Sequence, residues 1–150
     1  MSTPIAYLIT WTTYGSWLPG DARGWVRRGE PDIQGGDGRS VLDATRRMRQ
    51  EAVLLTPGQR DTVRGTIEEH CRIRGWRLDA LNVRSNHVHL VAAADVRPEV
   101  VMEQLKAWCS RRLNEGGGRR RKWWTEHGST KWINDEAYHR NAVRYVTERQ

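Results

Sequence analysis

Phenylalanine is missing altogether from this 150-residue chain, and cysteine is scarce, with only two. Without Phe, the aromatic volume falls to eight tryptophans and four tyrosines; most of the indoles are expected in the core or at its rim. Cys71 and Cys109 stand far apart, form no Cys-x-x-Cys pattern and both fall in expected helices. That excludes a disulfide framework and fits buried free thiols in a reducing cytosol. No apolar run approaches the length of a membrane-crossing helix. Residues 1–10 carry no basic stretch ahead of a long apolar one, so no secretory signal is visible. No Gly-x-x-x-x-Gly-Lys-Ser/Thr loop is present, which argues against chemistry driven by nucleotide hydrolysis. No internal repeat or inter-domain linker appears. The expectation is one soluble cytoplasmic domain over residues 1–150, large enough to bury a core and without a membrane partner.

What the chain has in excess is positive charge. Lys and Arg number 25 against 18 Asp and Glu, a net charge of +7. A small basic domain suits a polyanionic partner through counterion release. The cations cluster at Arg111-Arg112, and again at Arg119-Arg120-Arg121-Lys122, which runs straight into Trp123-Trp124. Cations interleaved with flat aromatics suit single-stranded nucleic acid, whose phosphates need charge and whose unpaired bases need stacking surfaces. Arg111, Arg112, Arg119, Arg120, Arg121, Lys122 and Trp123 are therefore candidate contacts. Lys106, on an expected helix, is another; an ordinary solvated lysine fits the position equally.

Local patterns give the element order. Residues 6–13 alternate Tyr7, Ile9 and Trp11 among β-branched neighbours, a first strand. Residues 14–38, rich in Gly, Pro, Asp and Arg, read as loop; a weak apolar stripe suggests a helix over 41–55. Thr56-Pro57-Gly58-Gln59 is a helix start, with Thr56 as cap, Pro57 in the first turn and Gln59 able to reach back. Val63, Ile67 and Cys71 then recur every four residues until Gly75 stops the helix near residue 74. Residues 76–84 and 87–93 form a hairpin through Ser85-Asn86. Pro98 opens a helix with Val101, Leu105, Trp108 and Leu113 on one face, ended by Gly116-Gly117-Gly118. Short strands are expected over 122–125 and 130–133, and Asn134 or Asp135 caps a last helix. The order βαββαβ folds most simply as an α+β, ferredoxin-like (RRM-like) antiparallel sheet with two helices on one face, plus the C-terminal helix.

The run Asn86-His87-Val88-His89-Leu90-Val91 holds the chemistry. Strand side chains alternate with period two, so His87 and His89 share one face while Val88, Leu90 and Ala92 face a core. Two neutral imidazoles on an open face are half of a metal site; a surface or hydrogen-bonded pair is the plainer alternative. A histidine-triad hydrolase would need another histidine at position 91, where Val91 stands. His70 reads as a core or boundary histidine, His127 lies in a turn beside Gly128, and His139 is expected exposed.

This motif resembles the His-hydrophobic-His signature of the HUH single-tyrosine transposases, the insertion-sequence 200/605 type and the REP-associated tyrosine transposases. The chain's size, the βαββαβ order and Tyr145 in Ala142-Val143-Arg144-Tyr145-Val146 fit the same family. The resemblance implies a DNA strand-transfer enzyme in which the histidine pair and a third polar side chain bind Mg²⁺ or Mn²⁺. It implies that a tyrosine attacks single-stranded DNA, hairpin or repeat-derived, leaving a 5′-phosphotyrosine and a free 3′-OH. On this chain the resemblance assigns the metal to His87 and His89 and the attack to Tyr145. The family places Gln or Asn four residues after the tyrosine; Arg149 stands there, so Gln150 or Glu148 would complete the set. Tyr138 could be a rival nucleophile or a core residue, and Asn141 could orient the phosphate. Members act as homodimers with sites completed in trans, or as monomers, and the residues leave that choice open. A non-catalytic single-stranded DNA or RNA binder of the same fold is the alternative.

Overall fold

A computed structural model describes residues 4–16, 52–116 and 122–148. Four strands, β1 (Ala6–Thr12), β2 (Arg77–Val83), β3 (His87–Ala93) and β4 (Ser129–Ile133), alternate with helices α1 (Pro57–Arg74), α2 (Pro98–Glu115) and α3 (Glu136–Glu148). The sheet is antiparallel throughout in the order β2-β3-β1-β4. The expected ferredoxin-like α+β fold is what forms, with the histidine strand β3 at its centre.

The helix signals act as their chemistry dictates. The Thr56 side chain accepts from the Gln59 amide at 3.1 Å, and the Gln59 side chain accepts from the Thr56 amide at 2.9 Å. Gly75 ends α1 in the left-handed region, at φ 74°, where a residue without Cβ is at ease. At α3, Asp135 rather than Asn134 is the cap, its carboxylate accepting from the Tyr138 amide at 2.7 Å.

Strand alternation gives the sheet two different faces. Tyr7, Ile9, Trp11, Val88, Leu90 and Ala92 turn toward α1 and α2, meeting Val63, Ile67, Val101 and Leu105 in the main core. On the other face Ala6, Ala80, Val91 and Ile133 pack with Ala142 and Val146 of α3 in a smaller one. Cys71 and Cys109 are buried free thiols, and burial raises the Cys71 pKa to about 11.

Three local expectations fail, and a fourth is described only at its end. The helix over 41–55 lies mostly outside the described residues, and its end is not helical. There the Val53 amide donates to Tyr14 and the Leu55 amide to Ser85, with both side chains in the main core. Residues 122–125 give only a bridge from Trp124 to Thr13: the consecutive indoles of Trp123 and Trp124 both enter the main core, whereas a regular strand sends neighbours to opposite faces. On α2 the buried stripe runs through Cys109, leaving Trp108 37% exposed. His139 is not exposed but tied to Asp79 at 2.8 Å.

Candidate active site

β3 places His87 and His89 on the α3 side of the sheet. Across the ladder Thr12 and Thr10 of β1 face them, and Asn82 of β2 faces His89. The two imidazole centroids are 5.1 Å apart, and the Tyr145 ring meets His89 edge-on at 5.6 Å. All three rings come from one chain. Ala142 and Val146 explain the approach, since burying them turns Tyr145, one residue before Val146, toward His89. There the phenol remains 47% exposed.

The electrostatics favour neutral imidazoles. Burial lowers the His87 pKa, helped by the Arg84 charge. Burial takes His89 further, to about 4, with His87 and Arg84 adding to the effect. The Asn86 carboxamide oxygen lies 2.8 Å from His87 Nδ1; an oxygen can only accept, so Nδ1 carries the proton and Nε2 keeps its lone pair. His89 Nε2 is buried with no hydrogen-bond partner among the described residues. A buried ring nitrogen left unpaired needs an explanation, and a cation is one that two neutral imidazoles suit. The residues present fit a divalent ion in donor type but supply only two such donors. Among the described residues no three His, Cys, Asp or Glu side chains group closely enough to hold an ion. Glu148, exposed in the last turn of α3, therefore does not join the histidines, and Gln150 lies outside the described residues.

Two anchors seat α3. The His139 ring bonds Asp79, which Arg77 also grips at 2.8 Å. The β2–β3 register slips between Leu78 and Ala80, and the residue passed over is Asp79. Burial alone would raise the Asp79 pKa, but the hydrogen bonds from Arg77 and His139 outweigh it and hold it below the ordinary value. Nearer the tyrosine, Asn82 Nδ2 donates to the Val146 carbonyl at 3.1 Å.

The candidate DNA contacts disperse. Trp123 is 3% exposed and its indole N–H donates to Asn114, so it offers no open face to a base. Lys106 Nζ donates to the carbonyls of Thr125 and His127 at 2.9 and 3.0 Å, pinning the turn before β4. Burial lowers its pKa despite Glu103 and Glu126 nearby. Arg111 stacks on Trp108 at 5.1 Å, and Arg112 pairs loosely with Glu69 at 3.8 Å; both belong to the helical layer behind the sheet. Lys122 lies over the Tyr14 ring at 5.8 Å, while Arg119, Arg120 and Arg121 lie outside the described residues. Tyr138 is half-buried in the smaller core, and His70 is a buried histidine that bonds Gln104 at 2.8 Å. Asn82 was missed by the motif; its signal was a polar residue in the strand paired with His89.

A family model described as IS200-like transposase matches residues 45–147. The chain belongs to the IS200-like transposase family. Solved structures with a similar fold include a REP-associated tyrosine transposase bound to a REP hairpin, at TM-score 0.60 and 13% identity over 97% of this chain and 66% of that one. This family member thus spans just under two thirds of that protein's length. A candidate transposase from Deinococcus radiodurans aligns at TM-score 0.50 and 14% identity, covering 97% of this chain and 91% of that one. At such identities the likeness is one of fold. No curated protein sequence matches this IS200-like chain.

Proposed function

We propose that the chain cuts and rejoins single-stranded DNA, with Tyr145 as nucleophile, at hairpin or repeat-derived ends. The observation that carries this reading is the edge contact of Tyr145 with His89 at 5.6 Å, which brings a half-exposed phenol to a pair of neutral imidazoles. The phenol oxygen attacks the scissile phosphorus and the P–O3′ bond breaks. The product is a 5′-phosphotyrosine on Tyr145 and a 3′-OH that has taken up a proton. In reverse, a 3′-OH attacks the same phosphorus and the Tyr145 oxygen leaves. The phosphotyrosyl bond conserves the phosphodiester energy, so rejoining needs no nucleotide.

His87 and His89, with Gln150 as the amide donor the sequence offers, would hold Mg²⁺ or Mn²⁺. When bound, the ion supplies positive charge against the phosphoryl oxygens and the departing 3′ oxygen. The chain's own part is positional. Asn86 fixes the His87 tautomer, β3 spaces the imidazoles, and α3 delivers the phenol. An ordinary phenol has a pKa near ~10, so its attacking form is scarce at neutral pH without a neighbouring positive charge.

The test is a labelled single-stranded hairpin with Mn²⁺, followed by denaturing electrophoresis. A covalent adduct that disappears in Tyr145→Phe while DNA binding persists is expected. If no adduct forms on REP-like or other hairpins while binding is retained, the chain is a passive single-strand binder.

A further inference from the structure

Asn82 stands directly across the β2–β3 ladder from His89, on the same face of the sheet. Its side-chain amide donates to the main-chain carbonyl of Val146 at 3.1 Å, the residue that follows Tyr145. The last four carbonyls of a helix have no partner inside it, and α3 ends at Glu148, so the Val146 carbonyl is one of these. A strand side chain beside His89 thus supplies a hydrogen bond that the helix cannot, in the turn that bears the tyrosine.

We propose that Asn82 is a positioning residue for Tyr145, fixing the last turn of α3 so that the phenol stays against His89. The proposal rests on the strand-cutting reading above. The other anchor does a different job. His139–Asp79 holds α3 six residues earlier, about 9 Å along the helix axis, and leaves the final turn to be set locally. Ala142 and Val146 supply apolar contact, which resists separation from the sheet but not small rotations or fraying. A carboxamide suits the task because it presents an N–H donor. Aspartate would set an acceptor against the Val146 carbonyl, and leucine fills similar space without donating. Displacing a reacting group by about 1 Å can cost roughly a hundredfold in rate, so a tether on the nucleophile's own turn acts on rate rather than on affinity.

The experiment compares the wild type with Asn82→Leu and Asn82→Ala. It measures the single-turnover rate of adduct formation at saturating hairpin DNA, the Kd for the same DNA, and the thermal midpoint. The expected result is an adduct-forming rate lower by about ten- to hundredfold, with DNA affinity and the thermal midpoint close to wild type in at least one variant. Rates equal to wild type in both variants overturn the proposal. So does a loss of rate matched by an equal loss of DNA affinity or of folding. An NMR arm separates this failure from that of the parent reading, by following the nuclear Overhauser contact between the Tyr145 and His89 rings. If wild type forms no adduct, the cutting reading falls. The ring contact, present in wild type and lost in both variants, would still support the tether; its persistence in the variants refutes it.

Discussion

At the residue scale, His89 links stability to chemistry. Its pKa drops from 6.5 to about 4 through burial first and then through His87 and Arg84, so between those values the unfolded chain binds more protons than the folded one. The resulting stability is fully present above pH 6.5 and drains away as pH falls toward 4, on the order of 3 kcal/mol in all. Urea midpoints at pH 7 and pH 4.5 should show a steeper loss for wild type than for His89→Leu, which has nothing to protonate there. The same neutral rings predict that Mn²⁺ raises the thermal midpoint of wild type and not of His87→Ala or His89→Ala. Gly128 carries a second residue-scale expectation. A Cβ there would sit 2.6 Å from the Thr10 carbonyl oxygen and 2.7 Å from Met102 Sδ. Gly128→Ala should therefore cost about 2 kcal/mol or more in chemical denaturation, as overpacking does. The preceding residue, His127, takes φ 67°, so its backbone makes a tight turn whose carbonyl Lys106 fastens.

At the scale of elements, the helices divide by how they are held. α1 begins on a reciprocal capping box, and Thr56→Ala should lower stability by about 1 kcal/mol in urea melts. α3 is the strongly amphipathic one, with Ala142 and Val146 as its buried residues. The sequence made these helices legible because capping residues and four-residue apolar spacing are local signals. The hairpin was legible for the same reason, and so was the shared face of His87 and His89, since strand alternation fixes it. What escaped was set by tertiary contact. Trp123 and Trp124 looked like a stacking platform beside a basic run, yet the main core takes both indoles. His139 looked solvated, but the register slip between Leu78 and Ala80 leaves Asp79 within its reach. Lys106 resembled a phosphate-seeking lysine until its ammonium met two carbonyls of the turn before β4. Asn82 had no motif, because its role depends on which helix residue lands beside it.

At the scale of the whole molecule, the sheet separates support from chemistry. α1 and α2 build the large core on one side, while the histidines and Tyr145 gather on the other. Arg111 and Arg112 lie on the supporting side, so replacing both with alanine should leave the adduct-forming rate at saturating DNA within about threefold of wild type. Any loss should fall on affinity and flatten its salt dependence, a distinction that fluorescence anisotropy across a salt series checks. The overall topology was readable because the order βαββαβ has one simple antiparallel solution; that Tyr145 comes to rest against His89 was not, since sequence spacing does not say where the last helix docks on the sheet.

The second, smaller core has a thermal consequence. Only Ala142 and Val146 of α3 are buried, so this helix should loosen well before the helical layer gives way. Warming would then silence the molecule before melting it: cleavage should fade at temperatures where circular dichroism still records an intact sheet, and cooling should bring it back.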